Sequence, residues 1–226
     1  CYASIATVSR FVRSLGFESF AQLKHAAVHY RHSIDSSARD YLKELPYGGN
    51  EGGTVMRYTE DITAAMEGFA ASVSVEQLDR VAREIHDAKG VALYGFFQPG
   101  LLAKQLQFLF LSIGRYTESY DLVEDHEERA RTMEKGDLAL FLSVDGNYVA
   151  GQGSAVLRML RERGVTLVLM TQNPSPALHE AFDEVVLLGK RDSTRAGYYK
   201  LQLATELLFS RYMYLYRSEG PEKWGE

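Results

Sequence analysis

The chain has a single cysteine, Cys1, among its 226 residues. One thiol excludes an internal disulfide framework and a zinc site built from cysteines; we expect no metal and no cofactor. Long apolar runs are absent too: none reaches the roughly 18 residues that a membrane-spanning helix needs, and residues 165–170 have the length of a buried strand. With no signal-peptide pattern, the sequence predicts a cytoplasmic protein without a membrane partner.

Positive charge is scarce, since the formal net charge is −5 at pH 7. Taken alone, this balance disfavours nucleic acid as a partner. The charges are unevenly distributed, however. Residues 1–33 contain four basic side chains and the single acid Glu18, and the acidic excess lies in the rest of the chain. A basic head on an acidic body favours DNA contact by the head alone.

The chain divides by pattern into four segments. Residues 1–33 are predicted to be a helical head. Residues 34–56 are predicted to be a linker, because they close in Pro46-Tyr47-Gly48-Gly49-Asn50-Glu51-Gly52-Gly53, where glycine and proline disfavour regular structure. Residues 57–217 are predicted as one α/β domain, and residues 218–226 as a tail. Since the helical pattern begins almost at Cys1, we expect that a segment belonging in front of it is missing.

The head begins with a capped amphipathic helix. Ser4 precedes apolar residues at three- and four-residue spacing, and Gly16 ends the run. The predicted buried stripe is Ile5, Val8, Val12 and Leu15. Ser19 opens a second helix in the same way.

Such a helix suits the major groove of DNA, where a recognition helix presents small and polar side chains above a buried apolar stripe. Its arginines can reach guanine edges or phosphates. The residues that we predict to contact DNA are Ser4, Ala6, Thr7, Ser9, Arg10 and Arg13. From spacing alone, a surface helix that carries two arginines is the alternative.

The segment Ser4-Ile5-Ala6-Thr7-Val8-Ser9-Arg10-Phe11-Val12-Arg13-Ser14-Leu15-Gly16-Phe17, followed by Ser19-Phe20-Ala21-Gln22-Leu23-Lys24, resembles the recognition helix and following helix of RpiR-type regulators. The shared pattern is a serine, two residues, Thr-Val, then Arg-Phe and a Leu-Gly-Phe close. That family carries further helices ahead of this point. The resemblance therefore implies an incomplete helix-turn-helix head, double-stranded operator DNA as its partner, and a sugar-isomerase (SIS) domain behind it.

The body alternates between short apolar strands and helices. Helices are predicted over residues 56–70 and 75–88, then strands at 91–94, 116–120, 138–143, 165–170 and 185–188, with helices at 100–113, 148–163 and 198–216. This alternation predicts an α/β fold with an open parallel sheet of the flavodoxin or Rossmann type and helices on both faces.

Open parallel sheets bind ligands beyond the carboxyl ends of their strands. Loops 95–100, 143–148 and 171–174 take such positions. The predicted ligand-binding residues are Gln98, Gly100, Ser143, Asp145, Gly146, Asn147, Tyr148 and Thr171.

The second loop resembles the Ser-x-Ser-Gly-x-Thr loop with which SIS domains grip a phosphorylated sugar, with Ser143 and Gly146 in register. Asp145 stands where the second serine would be, Tyr148 where the threonine would be, and the first loop has Pro99 in place of a serine. A carboxylate about 4 Å from a phosphate repels it by roughly 4 kcal/mol at an effective dielectric near 20. We therefore expect a pocket without the standard phosphate grip. Asp145 either faces an amine or hydroxyl of the ligand or caps the helix near Tyr148; a sugar phosphate stays open if Asp145 points away.

The predicted function is a DNA-binding regulator of sugar or amino-sugar metabolism genes. Its SIS domain is predicted to sense a sugar-like or sugar-phosphate effector and to form a homodimer or tetramer. One alternative is a SIS-type sugar-phosphate isomerase, which needs a general base. The candidate bases by residue type, none in a recognisable motif, are His126, His179, Glu180, Glu184 and Glu206.

The second alternative is a ligand-free dimerisation module. The apolar helix 101–111 and the aromatic end of the chain either bury a subunit interface or belong to the core. The aromatic residues concerned are Phe209, Tyr212, Tyr214 and Tyr216.

Overall fold

A computed structural model describes residues 4–24, 27, 54–120, 122–151 and 153–217 of the chain. Its contacts separate two compact units, residues 1–43 and residues 44–226. Of the predicted linker, only residues 54–56 are described, and they are helical. The predicted tail, 218–226, lies outside the described residues.

In the first unit, helix α1 spans Ile5–Ser14, with Ser4 at its N-cap accepting from the Thr7 amide. The predicted capped helix is confirmed. Residues 20–24 are also helical, and the Ser19 hydroxyl accepts from the Gln22 amide at 3.1 Å.

The predicted apolar stripe of α1 is buried only in part. Val12 is 1% exposed, whereas Ile5 is 87% and Leu15 is 50% exposed. The expectation for Ile5 and Leu15 is therefore wrong. An apolar stripe is buried only where another element packs on it, and within the described residues Ile5 and Leu15 are not covered in this way.

The second unit alternates helices and strands. In chain order they are α2 (Thr54–Ala70), α3 (Val75–Asp87), β1 (Val91–Gly95), α4 (Gln98–Ser112), β2 (Glu118–Ser119), α5 (Val123–Thr132), β3 (Leu138–Leu142), α6 (Asn147–Ala150), α7 (Ser154–Glu162), β4 (Thr166–Thr171), α8 (Pro176–His179), β5 (Glu184–Leu187) and α9 (Thr194–Tyr216).

The five strands form one sheet in the order β2-β1-β3-β4-β5, with every neighbouring pair parallel. Because successive side chains of a strand point to opposite faces, the sheet contributes side chains to two hydrophobic cores, one on each face. Leu93, Leu140 and Met170 pack with α3, α4 and α9 on one side. Tyr94 and Phe141 pack with α5, α6 and α7 on the other. The predicted α/β fold with an open parallel sheet covered on both faces is confirmed.

The predicted helix 148–163 is wrong as a single element. The chain forms α6 and α7 instead and turns between them at Gly151 and Gly153. A Cβ at Gly153 would lie 2.7 Å from the Tyr148 ring, so only glycine lets the chain pass this ring. Two further helices, α5 and α8, have no counterpart among the predictions, and α9 begins at Thr194 rather than near residue 198.

The described helices include none that combines the length and apolar character needed to cross a bilayer.

Candidate functional site

The crevice of this sheet lies between β1 and β3. Their carboxyl ends pair directly, with Gly95 opposite Leu142, and the strand order reverses between them. In doubly wound sheets of order 2-1-3-4-5, ligands bind outside the carboxyl ends at this switch point. The loops after β1 and β3 therefore form the candidate site, joined by the loops after β4 and β5.

The first loop is held tightly by its own backbone. A Cβ at Gly95 would lie 2.5 Å from the Pro99 carbonyl oxygen, and one at Gly100 would lie 3.1 Å from the Gly95 carbonyl oxygen. Phe97 adopts φ 60° and ψ −125° as the N-cap of α4, a region that a residue with a side chain enters only under strain. Gln98 begins α4 beside it and is half-buried.

The second loop contains a serine whose hydroxyl is not used within the described part of the protein. Ser143 is 4% exposed, and its hydroxyl makes no hydrogen bond within the described residues. Gly146 has φ 76°, and Asn147, the first residue of α6, is exposed. Ligand binding by Ser143, Gly146 and Asn147 stays a prediction.

Tyr148 turns into the protein. His126 Nε2 lies 3.0 Å from the Tyr120 carbonyl oxygen and Nδ1 lies 2.5 Å from the Tyr148 hydroxyl. A carbonyl only accepts, so Nε2 carries the hydrogen, and in the neutral ring Nδ1 accepts from Tyr148. Burial raises the pKa of Tyr148. This hydroxyl is engaged inside the fold, and ligand binding by Tyr148 stays a prediction.

Asp145 is buried and fully engaged. Its Oδ1 accepts from Arg191 Nε at 3.0 Å and from Gln172 Nε2 at 3.3 Å, and its Oδ2 accepts from Thr194 Oγ1 at 3.0 Å. The alternative that Asp145 caps the helix near Tyr148 is wrong, because α6 has Gly146 at its N-cap and no side-chain cap.

The Asp145–Arg191 pair also changes the expected electrostatics. A positive charge at hydrogen-bonding distance from a carboxylate weakens the repulsion between that carboxylate and a nearby anion such as a phosphate. The predicted repulsion of a phosphate by Asp145 is therefore largely cancelled.

Thr171 and Gln172 tie the loops together. Thr171 Oγ1 donates to the Val144 carbonyl at 2.9 Å and accepts from the Asn173 amide at 3.1 Å. Gln172 Nε2 donates to the Asp192 carbonyl at 3.0 Å, and its Oε1 accepts from the Asp192 amide at 3.2 Å. Thr171 is thus occupied in positioning the β3 loop, and its contact with a ligand stays a prediction.

The loop after β5 contributes residues that the sequence alone did not indicate. The buried Lys200 Nζ donates to Asp192 Oδ2 at 2.9 Å and to the Lys190 carbonyl at 2.8 Å. A fully buried lysine is rare unless it is paired, and this pair fixes the loop that carries Arg191. The sequence signal that could have indicated these residues is the Lys-Arg-Asp segment between β5 and α9. Its proximity to Asp145 depends on the fold.

The five candidate bases do not form one cluster. His126 has both ring nitrogens engaged. Glu184 begins β5, so it lies at the amino edge of the sheet, and Glu206 lies in the middle of α9 and is exposed. Two candidates, His179 and Glu180, lie on the carboxyl side of β4, and His179 Nε2 donates to the Asn173 carbonyl at 2.7 Å.

On the head, the predicted DNA contacts share the exposed surface of α1. Arg10 and Arg13 are exposed, as are Ala6 and Ser9. Arg10 Nε lies 3.4 Å from the Ala6 carbonyl, which leaves the rest of the guanidinium to solvent. Contact with DNA stays a prediction.

No protein-family model matches the chain. Among curated proteins, it is 23% identical over 202 residues to an uncharacterised HTH-type transcriptional regulator of Caldanaerobacter subterraneus, covering 87% of this chain and 68% of that protein. It is 22% identical over 201 residues to the HTH-type transcriptional regulator RpiR of Escherichia coli K12, covering 85% and 66%. The chain thus spans about two thirds of the length of these relatives.

Solved structures share the fold. NanR of Vibrio vulnificus, complexed with ManNAc-6P, superposes with a TM-score of 0.64 at 16% identity, over 95% of this chain and 76% of that chain. The sugar isomerase domain of an RpiR transcription factor from Sphaerobacter thermophilus gives 0.59 at 17%, over 70% and 89%. A sugar-phosphate isomerase candidate from Listeria monocytogenes gives 0.62 at 18%, over 78% and 97%.

The relatives are named as transcriptional regulators, whereas some neighbours in fold are named as isomerases. Sequence and fold agree on one relationship, and they confirm the resemblance first indicated by the N-terminal motif: this chain is similar to the RpiR-type HTH regulators, and its second unit has the fold of their SIS domain.

Proposed function

We propose that this chain belongs to a cytoplasmic DNA-binding regulator whose SIS-type domain senses a sugar-like or sugar-phosphate metabolite. The observation that carries the proposal is the combination of two features in one chain. An N-capped helix presents exposed arginines, and a parallel sheet brings hydrogen-bonded polar side chains together in the loops at its carboxyl edge, beside the switch point. The similarity to HTH-type regulators extends over both units.

The head supplies the DNA contact in this proposal. Arg10 and Arg13 bind phosphates or guanine edges, and Thr7 and Ser9 help to set the register on the duplex. Ala6 is small enough to approach a thymine methyl. The acidic body gives no comparable attraction for a duplex.

The crevice supplies the effector site. NanR, a neighbour in fold, is complexed with the sugar phosphate ManNAc-6P, which supports a related ligand here. Ser143 offers a hydroxyl that makes no hydrogen bond within the described residues, and the Arg191 partner of Asp145 offsets the carboxylate charge.

The domain also offers a surface for self-association. Leu101, Phe108 and Leu111 are exposed on α4 and lie on one face at helical spacing. By contrast Tyr212 is buried against Phe110 and the His86 ring, so it belongs to the core. We propose a homodimer or tetramer that buries the α4 face and places two heads on a two-fold operator.

An isomerase shares this fold, so catalysis is the second candidate. Of the candidate bases, His126 is engaged within the core and Glu184 lies at the opposite edge of the sheet. His179 lies on the carboxyl side of β4, but its Nε2 donates to the Asn173 carbonyl. We therefore propose that the chain is not an enzyme. If the protein converted an aldose phosphate to the ketose faster than a buffer blank does, the isomerase would become the better-supported function.

The regulator proposal is tested with the full-length gene product and the DNA upstream of its own gene. Fluorescence anisotropy at low ionic strength is expected to show tighter binding to this fragment than to a scrambled fragment of equal length. Equal affinity for the two fragments would contradict the proposal.

A further inference from the structure

The Arg191 guanidinium is hydrogen-bonded through only one of its three nitrogens within the described residues. Its Nε donates to Asp145 Oδ1 at 3.0 Å, and the side chain is 58% exposed. A guanidinium has five N–H groups, and within the described residues this single bond is the one that Arg191 makes. The Nη groups keep their donors at the carboxyl edge of the sheet.

The loops around Arg191 carry more positive than negative charge. Lys190, Arg191 and Lys200 face the carboxylates of Asp145 and Asp192, through distances of 2.9 to 3.6 Å. Asp192 is shared between the two lysines, and Asp145 is taken by Arg191. One excess cation therefore remains at the crevice, which favours an anion there.

Asp145 and Arg191 together replace what a serine would supply. A serine hydroxyl at this loop position donates one hydrogen bond. A carboxylate donates none, but here it anchors a guanidinium, whose planar fork matches a phosphate or carboxylate with two parallel bonds. Ser143, two residues before Asp145, is 4% exposed and adds a hydroxyl that makes no hydrogen bond within the described part of the chain.

We propose that Arg191 is the residue that selects an anionic sugar as the effector, and that Asp145 is its positioning residue. This inference rests on the effector site of the proposed function and names the class of ligand that the site takes. A sugar phosphate and an acidic sugar share the chemistry that Arg191 recognises. The two are distinguished by the ligands used in the test.

The test measures dissociation constants by isothermal titration calorimetry on the full-length gene product. The probes are ManNAc-6P, arabinose 5-phosphate, the two unphosphorylated sugars and glucuronic acid. Arg191→Gln is expected to weaken binding of the anionic probe about 10- to 100-fold, since a charge-assisted hydrogen bond is lost. Lys89→Gln is the control, because Lys89 precedes β1 at the amino edge of the sheet and its side chain is 70% exposed, and less than about a 3-fold loss is expected for it.

A double-mutant cycle separates this role from a purely structural one. In an Asp145→Ser background the hydroxyl is restored, so Arg191→Gln is expected to cost less than about 5-fold. A structural role for Arg191 would give the same loss in both backgrounds. Thermal unfolding of each variant without ligand verifies that it is folded, and Arg191→Lys, which keeps the charge, is expected to lie between Arg191→Gln and the wild type.

Three results would overturn the inference: no binding of any anionic probe by the wild type, equal losses for Arg191→Gln and Lys89→Gln, or tighter binding of a neutral sugar than of the anionic probes. None of these results depends on specific DNA binding by the wild type. The DNA-binding assay therefore tests the proposed function separately. Binding of glucuronic acid but neither phosphate would assign the carboxylate as the recognised group and support the role of Arg191.

Discussion

The Arg195 guanidinium lies 4.3 Å from the centroid of the Tyr58 ring and joins α2 to the first turn of α9. The Tyr58 hydroxyl also lies 3.3 Å from the Tyr199 hydroxyl. The same turn of α9 holds Thr194, which donates to Asp145. The first turn of α9 therefore contacts both Asp145 and α2, and we expect ligand binding at Asp145 to bias the position of α2 through it.

Replacing Tyr58 with leucine is expected to abolish the effect of effector binding on DNA affinity. The variant loses the stacked cation, which costs about 0.5 to 2 kcal/mol of stability, but it leaves the side chains around Asp145 in place. Effector affinity should change by less than about 3-fold, while the effector-induced change in DNA affinity, about 5- to 150-fold for typical coupling, should fall toward none. Calorimetry and anisotropy measure the two quantities. Tyr199→Phe removes the hydroxyl pair alone and is the control that should retain coupling.

The salt dependence of DNA binding should report Arg10 and Arg13. Each phosphate contact that is lost reduces the slope of log affinity against log salt by about 0.9. The double variant Arg10→Ala with Arg13→Ala is therefore expected to bind more weakly and with a slope shallower by about 2. Anisotropy titrations from low to moderate salt provide the slope. Arg57→Ala, which removes an exposed arginine of α2, is the control; an unchanged slope for the double variant would remove both arginines from the interface.

The first loop should tolerate no side chain at Gly95. A Cβ there would lie 2.5 Å from a backbone oxygen of Pro99, so Gly95→Ala forces β1 away from α4 and is expected to cost about 1 to 3 kcal/mol. Effector affinity should fall as well, because loop 95–100 moves. Gly68→Ala is the matched control: nothing lies within 4 Å of its Cβ, and alanine in a helix should add about 0.5 to 1 kcal/mol. Urea unfolding measures both, and similar stability for the two variants would show that the loop can relax.

Glu84 should destabilise the folded protein at neutral pH. Burial, followed by the charges of Glu184 and Asp183, raises the pKa of Glu84 above the ordinary glutamate value of 4.5. The folded state therefore binds this proton more tightly than the unfolded state does, and stability is lost as pH rises from about 4.5 through the raised pKa. Glu84→Gln is expected to be more stable than the wild type at pH 7, with the gain vanishing below about pH 4.5.

Glu76 on the same helix provides a control of opposite sign. The hydrogen bond from Ser74 lowers its pKa, so Glu76→Gln should lose stability at neutral pH and match the wild type in acid. Urea midpoints measured across the pH range give both comparisons. A Glu84→Gln gain that persists unchanged in acid would point to packing instead of charge.

The centre of the sheet could be predicted from sequence because β1, β3 and β4 are short, mainly apolar runs that are buried on both faces. Residues 138–142 and 166–171 needed no knowledge of their partners to be recognised. Helix α5 was not predicted from the sequence, because it is strongly charged and buries only His126 and Ala130, so its apolar periodicity is weak. The break between α6 and α7 was indicated by two glycines, but its cause is the Tyr148 ring, which is a tertiary contact.

The candidate site could be placed by its loops but not completed. Asp145 was recognised as a departure from the SIS motif, yet its partner Arg191 lies 46 residues further along the chain. Local patterns carry no information about a pair of that separation. Gln172 and Lys200 were missed for the same reason, because their roles depend on how the loops after β3, β4 and β5 meet.

The account is tested most directly by one titration. The affinity of the full-length gene product for the DNA upstream of its own gene is measured with and without a saturating sugar phosphate, and again with the unphosphorylated sugar. We expect the sugar phosphate to change the dissociation constant by at least about 5-fold and the unphosphorylated sugar to leave it unchanged. An unaltered DNA affinity with a bound sugar phosphate would contradict control of the head by the SIS-type domain.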